Sequence, residues 1–122
     1  MSERDWRLFL LDIRESASRV LEYVGSMSRE EFLKDSKTLD AVIRNLAIIG
    51  EAAKKVPAGI RRQYPAVEWK RMAGLRDIVV HDYFGIDEDI IWNVVSVKMP
   101  ELLLQMDTLT GEISNNKGCG SD

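Results

Sequence analysis

The sequence predicts an all-α protein, folded as an antiparallel bundle of four to five helices. Apolar residues recur at spacings of three and four over several long stretches, which is the period of one helix face. Glycine and proline separate these stretches, and no apolar–polar alternation is long enough for a sheet. The 122 residues, 45% hydrophobic and 30% charged, fit one globular domain with a modest core.

The first half of the chain predicts two long helices with a short one between them. The first begins near Trp6 and stops at Gly25. Its apolar stripe is Trp6, Phe9, Ile13, Ala17, Val20 and Val24. A capping box at Ser28 to Glu31 opens a short helix through about Leu33. The second long helix starts at Ser36 or Thr38, and its stripe is Leu39, Val42, Ile43, Leu46, Ile49 and Ala53.

The second half predicts two further helices after a turn bracketed by prolines. Pro57 ends the second long helix, and a short helical turn precedes Pro65. The next helix runs from about Ala66 to near His81. The last runs over residues 88–109, and Pro100 inside it should kink it or break one hydrogen bond.

We expect one helical domain over residues 1–109, followed by a tail. Residues 110–122 are rich in Gly, Ser, Asn and charge, so we expect a disordered tail.

The stretches 90–97 and 102–104 are apolar over much of their circumference, more than a small bundle can bury. We therefore expect a homodimer.

Several classes of protein are excluded by composition. No apolar run approaches the ~20 residues that cross a membrane, and Met1 to Asp5 is too charged for a secretory signal. The protein is therefore expected in the cytoplasm, away from membranes. Cys119 is the single cysteine, and no metal-ligand spacing or phosphate-cradling glycine loop is present. We expect neither a metal site nor a cofactor.

Charge is unevenly distributed along the chain. The net charge is −3, but residues 54–76 carry seven bases and one acid, which leaves +6 there and −9 elsewhere. Local charge of this kind can hold a phosphate backbone on an acidic protein. For the charge cluster alone, however, a solvated helical face is the favoured interpretation.

The basic segment leads directly into a motif that suggests catalysis. His81 is the only histidine, and Arg76 lies five residues before it. Arginine binds phosphate, and imidazole exchanges protons near neutrality, so the pair suggests chemistry on a phosphodiester. On a regular helix Asp77 and His81 share a face, whereas Arg76 and His81 differ by about 140°. We expect the helix to unwind at His81; in an extended chain, His81 and Tyr83 point the same way.

Metal-independent RNA cleavage requires a base, an acid and a cation. One chain has one histidine, but a twofold dimer has two histidines and two arginines around one cleft. The expected dimer would therefore complete the catalytic set.

Arg76-Asp77-(three residues)-His81 resembles the motif of HEPN domains, and His81-Asp82-Tyr83 adds the tyrosine of the HepT-like branch. The resemblance extends over about residues 2–109. It implies a HEPN-like dimer that acts as the toxin of a type VII-like toxin–antitoxin pair. Such toxins are metal-independent endoribonucleases with tRNA or mRNA as substrates.

The resemblance also implies roles for single residues. Arg76 would stabilise the scissile phosphate, His81 would transfer protons, and Asp77 would support them. Tyr83 would receive AMP from a partner, a minimal nucleotidyltransferase antitoxin. Glu51 is a second-tier candidate that is equally interpretable as an ion-pair partner of the lysines one turn later.

One alternative to the enzyme is a non-catalytic helical dimer that binds a nucleotidyltransferase or a nucleotide, as a scaffold or antitoxin. The acidic pI of about 5.2 favours that alternative. The complete Arg76 and His81 pair favours the ribonuclease.

Overall fold

Three long helical segments dominate the fold. The computed structural model describes the backbone of residues 5–81 and 85–120, with the side chains of residues 5–80 and 85–112. Its helices are α1 (Trp6–Val24), α2 (Arg29–Lys34), α3 (Ser36–Lys55), α4 (Ala58–Gln63), α5 (Trp69–Ala73), α6 (Leu75–Val79), α7 (Glu88–Asn93) and α8 (Met99–Gly120). A π-helical turn, Val94–Lys98, joins α7 to α8, and β1 (Val80–His81) pairs with β2 (Gly85–Ile86).

The core lies where α1, α3 and α8 pack together. The predicted stripes of α1 and α3 supply part of it, and α8 completes it. Leu10 is buried although it lies outside the predicted α1 stripe, and the predicted core residues Trp6, Phe9, Leu39 and Ile43 are only partly buried. The innermost residues are Leu10, Ile13, Val20, Val42, Leu46, Ile49 and Met106. α5 and α6 cross α3 on another side. The pair α5–α6 forms one broken helix, and α7 to α8 form one rod. The predicted all-α bundle is confirmed.

Local signals set most helix starts. Ser28 forms the predicted capping box, accepting from the Glu31 N–H while the Glu31 carboxylate accepts from the Ser28 N–H. Asp35 caps α3 by accepting from Thr38 N at 3.1 Å. Asp87 caps α7 by accepting from Ile90 N at 3.0 Å.

The helix predicted from Ala66 to near His81 is wrong in its bounds. It is divided at Gly74 into α5 and α6, and it ends at Val79. Val80 has φ −116° and ψ 124°, an extended conformation that suits its β-branched side chain. The chain then pairs with β2 in a ladder too short to leave an alternating pattern in the sequence.

The last helix is irregular before Pro100, as predicted, and it continues beyond its predicted end. A π-helical turn precedes Pro100, in which the Met99 N–H donates to the Val94 carbonyl. The wider turn accommodates a ring that cannot donate to the ladder. α8 continues as helix to Gly120, where a disordered tail was predicted from residue 110. The domain boundary at residue 109 stays a prediction.

None of the described helices is long and apolar enough to cross a membrane. Among the described residues, no three His, Cys, Asp or Glu side chains form a group that could hold a metal ion.

Candidate active site

α6 presents the first half of the predicted motif to solvent. Leu75 and Val79 are buried four residues apart and anchor the helix against the core. This anchoring turns the intervening Arg76 and Asp77 outwards, with 54% and 85% of their side chains exposed.

Among the described residues, Arg76 is only weakly engaged. Its Nη1 lies 3.7 Å from the Asp77 Oδ1, beyond the range of a good hydrogen bond. An exposed ion pair of this kind contributes little to stability, so the donors of the guanidinium stay available to another anion. Asp77 contacts Arg76 directly, as a supporting polar residue would.

His81 follows α6 as the second residue of β1. The predicted unwinding before His81 is confirmed, because the chain is extended from Val80 and His81 pairs with Gly85. The helical relation expected between Asp77 and His81 is therefore wrong, since α6 ends two residues before His81. The His81 imidazole and all of Tyr83 lie outside the described residues, and their predicted roles stay predictions.

The hairpin returns the chain to the end of α6. The Asp87 N–H donates to the Val79 carbonyl at 2.7 Å, directly beside the β1–β2 ladder. Gly85 has φ +74°, a left-handed conformation that an L side chain rarely adopts. These constraints hold the backbone of His81 close to the α6 terminus.

Glu51 lies on the surface of α3. Its Oε1 accepts from Lys54 Nζ at 3.4 Å, and 67% of its side chain is exposed. It borders a shallow depression between α1 and α3 with Phe9 and Arg44. This is the ion-pair arrangement that the sequence left open, and a role for Glu51 at the site stays a prediction.

A groove beside α6 was missed by the sequence. It has a volume of ≈ 280 Å³ and runs between α5–α6 and the rod formed by α7, the π-helical turn and α8. Its apolar floor includes Met72, Leu75, Ile78, Val94 and Leu102. The floor joins segments from residues 72–78 and 94–102, whose proximity no local pattern reveals.

An ion-pair cluster spans the rim of this groove. Glu68 accepts from Lys98 Nζ at 3.0 Å and from Arg71 Nη1 at 3.2 Å. The hydrogen bonds from Lys98 and then Arg71 lower the pKa of the Glu68 carboxyl below its usual value. The cluster ties the start of α5 to the π-helical turn.

The chain is thus an all-α bundle with an exposed arginine on α6 and its only histidine two residues beyond the end of that helix. A family model described as "Ribonuclease HepT-like" matches residues 13–109. The chain therefore belongs to the HepT-like ribonuclease family, as the sequence predicted.

Curated relatives agree with this assignment. The chain is 43% identical over 113 residues to "Putative RNase MJ0127" of Methanocaldococcus jannaschii, covering 93% of each protein. It is 40% identical over 100 residues to "Probable ribonuclease HepT" of Thermococcus cleftensis, covering 82% of this chain and 91% of the relative. It is 39% identical to "Putative RNase TTE0752" of Caldanaerobacter subterraneus, covering 82% and 89%. No solved structure matches the chain.

Proposed function

We propose that this chain is a metal-independent endoribonuclease and the toxin of a toxin–antitoxin pair, with tRNA or mRNA as its substrate. The observation that carries the proposal is the exposed, weakly paired Arg76 placed five residues before the only histidine of a ribonuclease-family chain. The acidic pI of about 5.2 favours a second candidate, a non-catalytic dimer that binds a nucleotidyltransferase.

The chemistry needs no metal ion. His81 takes the proton of a ribose 2′-hydroxyl, and the 2′-oxygen then attacks the adjacent phosphorus. The bond to the 5′-oxygen breaks, and a second imidazole, that of the other protomer in a dimer, protonates the leaving oxygen. Arg76 stabilises the negative charge that develops on the phosphoryl oxygens. The products carry a 2′,3′-cyclic phosphate and a free 5′-hydroxyl.

The proposal requires a homodimer, because each chain has one histidine. The apolar groove beside α6 supports this, since its floor extends directly from the helix that carries Arg76. A second copy covering the groove would bury its apolar floor and bring two motifs to one cleft.

The partner antitoxin acts at Tyr83 in this proposal. A minimal nucleotidyltransferase transfers AMP to the tyrosine hydroxyl and releases pyrophosphate from ATP. A bulky anionic nucleotide two residues from His81 blocks the cleft and repels RNA phosphates. Replacing Tyr83 by Phe should leave cleavage intact and abolish neutralisation; a Tyr83→Phe toxin that the partner still silences would contradict this step.

Cleavage of labelled RNA in EDTA tests the proposal. Wild type should cut, whereas His81→Ala and Arg76→Lys should not, because Lys lacks the planar fork of the guanidinium. The matched control is Arg19→Lys, an exposed arginine on α1 that pairs with Glu15 at 2.6 Å, and it should cut normally. A folded wild-type protein that leaves RNA and growth unaffected would favour the non-catalytic candidate.

Mixed dimers test the shared cleft. If one cleft needs two histidines, activity in mixtures of wild-type and His81→Ala chains falls with the square of the wild-type fraction. A linear decrease would show that each protomer cuts by itself.

A further inference from the structure

A basic surface on α4 and α5 lies outside the motif. Residues 54–76 carry seven bases and one acid, although 19 acids occupy the rest of the chain. The surface of interest is defined by Arg61, Arg62 and Lys70, which we call the basic track. It precedes Arg76 along the chain.

Among the described residues, the basic track forms neither an ion pair nor a cation–π contact, unlike its neighbours Lys54, Lys55 and Arg71. Lys54 pairs with Glu51 at 3.4 Å, and Arg71 pairs with Glu68 at 3.2 Å. Lys55 lies over the Phe9 ring at 5.6 Å. Arg61, Arg62 and Lys70 form no ion pair with any carboxylate in the described part of the chain.

The single acid within the basic segment does not neutralise the track. Both Glu68 oxygens are occupied, one by Lys98 and one by Arg71. Its lowered pKa keeps it ionised near neutrality, so the two cations that it pairs with stay engaged with it. The positive potential of the track is therefore left for an external anion.

The track lies close to the motif along the chain. Trp69 Nε1 donates to the Tyr64 carbonyl at 3.0 Å and fixes the turn between α4 and α5. α5 and α6 both pack on α3 and are separated only by Gly74. The Cα atoms of Lys70 and Arg76 are six residues apart and thus within about 20 Å. A short stretch of RNA backbone covers that span.

Helix-dipole stabilisation is the simpler explanation for bases at these positions. Arg61 and Arg62 lie in the last turn of α4, and Lys70 lies in the last turn of α5. Cations there stabilise a helix through its dipole. The dipole acts on folding, whereas a bound polyanion acts on the salt dependence of binding, so the two explanations are separable.

We propose that Arg61, Arg62 and Lys70 bind the phosphates of the RNA strand that leads to Arg76. The inference rests on the proposed ribonuclease function and adds the path of its substrate. The contacts are to phosphates, so they position the strand without reading its sequence.

Salt-dependent binding tests the track. The probe is a fluorescein-labelled single-stranded 2′-O-methyl RNA, which has no 2′-hydroxyl to attack and stays intact. The variant is Arg62→Gln with Lys70→Gln, because both side chains are exposed. Losing two phosphate contacts should reduce the slope of log K against log salt by about 1.4. With slopes that converge near 1 M salt, affinity at 0.1 M should fall about 25-fold.

The matched control is Lys34→Gln with Lys37→Gln, which removes two exposed cations outside the track and changes the net charge by the same amount. An unchanged slope in the track variant, or an equal change in the control, would overturn the inference. A change in the free energy of unfolding without a change in slope would assign the bases to the helix dipole and also overturn it. Cleavage of ordinary RNA by the wild type reports the proposed function independently.

Discussion

Gly50 decides how closely α3 approaches α5. A Cβ atom built at this position would lie 3.1 Å from the Ala73 carbonyl oxygen and 3.2 Å from that of Met72. These are backbone atoms, so they cannot rotate away as a flexible side chain would. Replacing Gly50 by Ala therefore forces α5 to shift by a few tenths of an ångström.

Two opposing effects set the expected magnitude. Alanine in a helix interior is favoured over glycine by about 1 kcal/mol. Overpacking in a tight interior costs about 1–3 kcal/mol. Gly50→Ala should therefore destabilise the fold by about 1 kcal/mol, and Gly50→Val should cost more because two further methyl groups enter the contact.

Urea unfolding followed by helical circular dichroism measures the difference. A loss of about 1 kcal/mol lowers the midpoint by about 0.5–1 M for a domain of this size. Gly59→Ala in α4 is the matched control, because a Cβ there has nothing within 4 Å. That control should gain up to about 1 kcal/mol. Equal stabilisation by both substitutions would refute the close approach of α3 and α5.

Three other changes test the fold around the site. Phe32 is fully buried with its ring centroid 5.8 Å from that of Trp92, so Phe32→Ala should cost about 3–5 kcal/mol and change the near-ultraviolet dichroism; a loss under 1 kcal/mol would contradict its burial. Trp69→Phe removes the 3.0 Å hydrogen bond to the Tyr64 carbonyl and should cost about 1–3 kcal/mol in urea unfolding, more than Trp6→Phe at a half-buried position. The pKa of Glu68 is lowered from 4.5 by Lys98 and Arg71, so its contribution to stability is present above pH 4.5 and lost as the pH falls through the lower folded value. Glu68→Gln should make the urea midpoint of unfolding less dependent on pH in that window. An unchanged pH dependence would show that the Glu68 cluster does not stabilise the fold.

Local sequence patterns determined the long helices and their starts. The apolar stripes of α1 and α3 became part of the core because spacings of three and four leave one face to bury. Ser28 and Asp87 capped α2 and α7 because a cap involves residues only three apart. The positions of Arg76 and His81 were also readable, since a motif is defined by its spacing alone.

Tertiary structure decided where the motif helix ends and what surrounds it. α6 ends at the buried Val79, because the β-branched Val80 is extended. Pairing with β2 then provides backbone hydrogen bonds to the strand that follows. Glu68 and Lys98 meet across 30 residues, and the groove joins residues 72–78 to residues 94–102. Such contacts depend on how the helices cross. A periodic pattern in the sequence shows only which face of each helix is apolar, so it does not predict these contacts. The sequence by itself therefore determined the long helices and the residue types of the candidate site, and packing alone determined the surface that surrounds them.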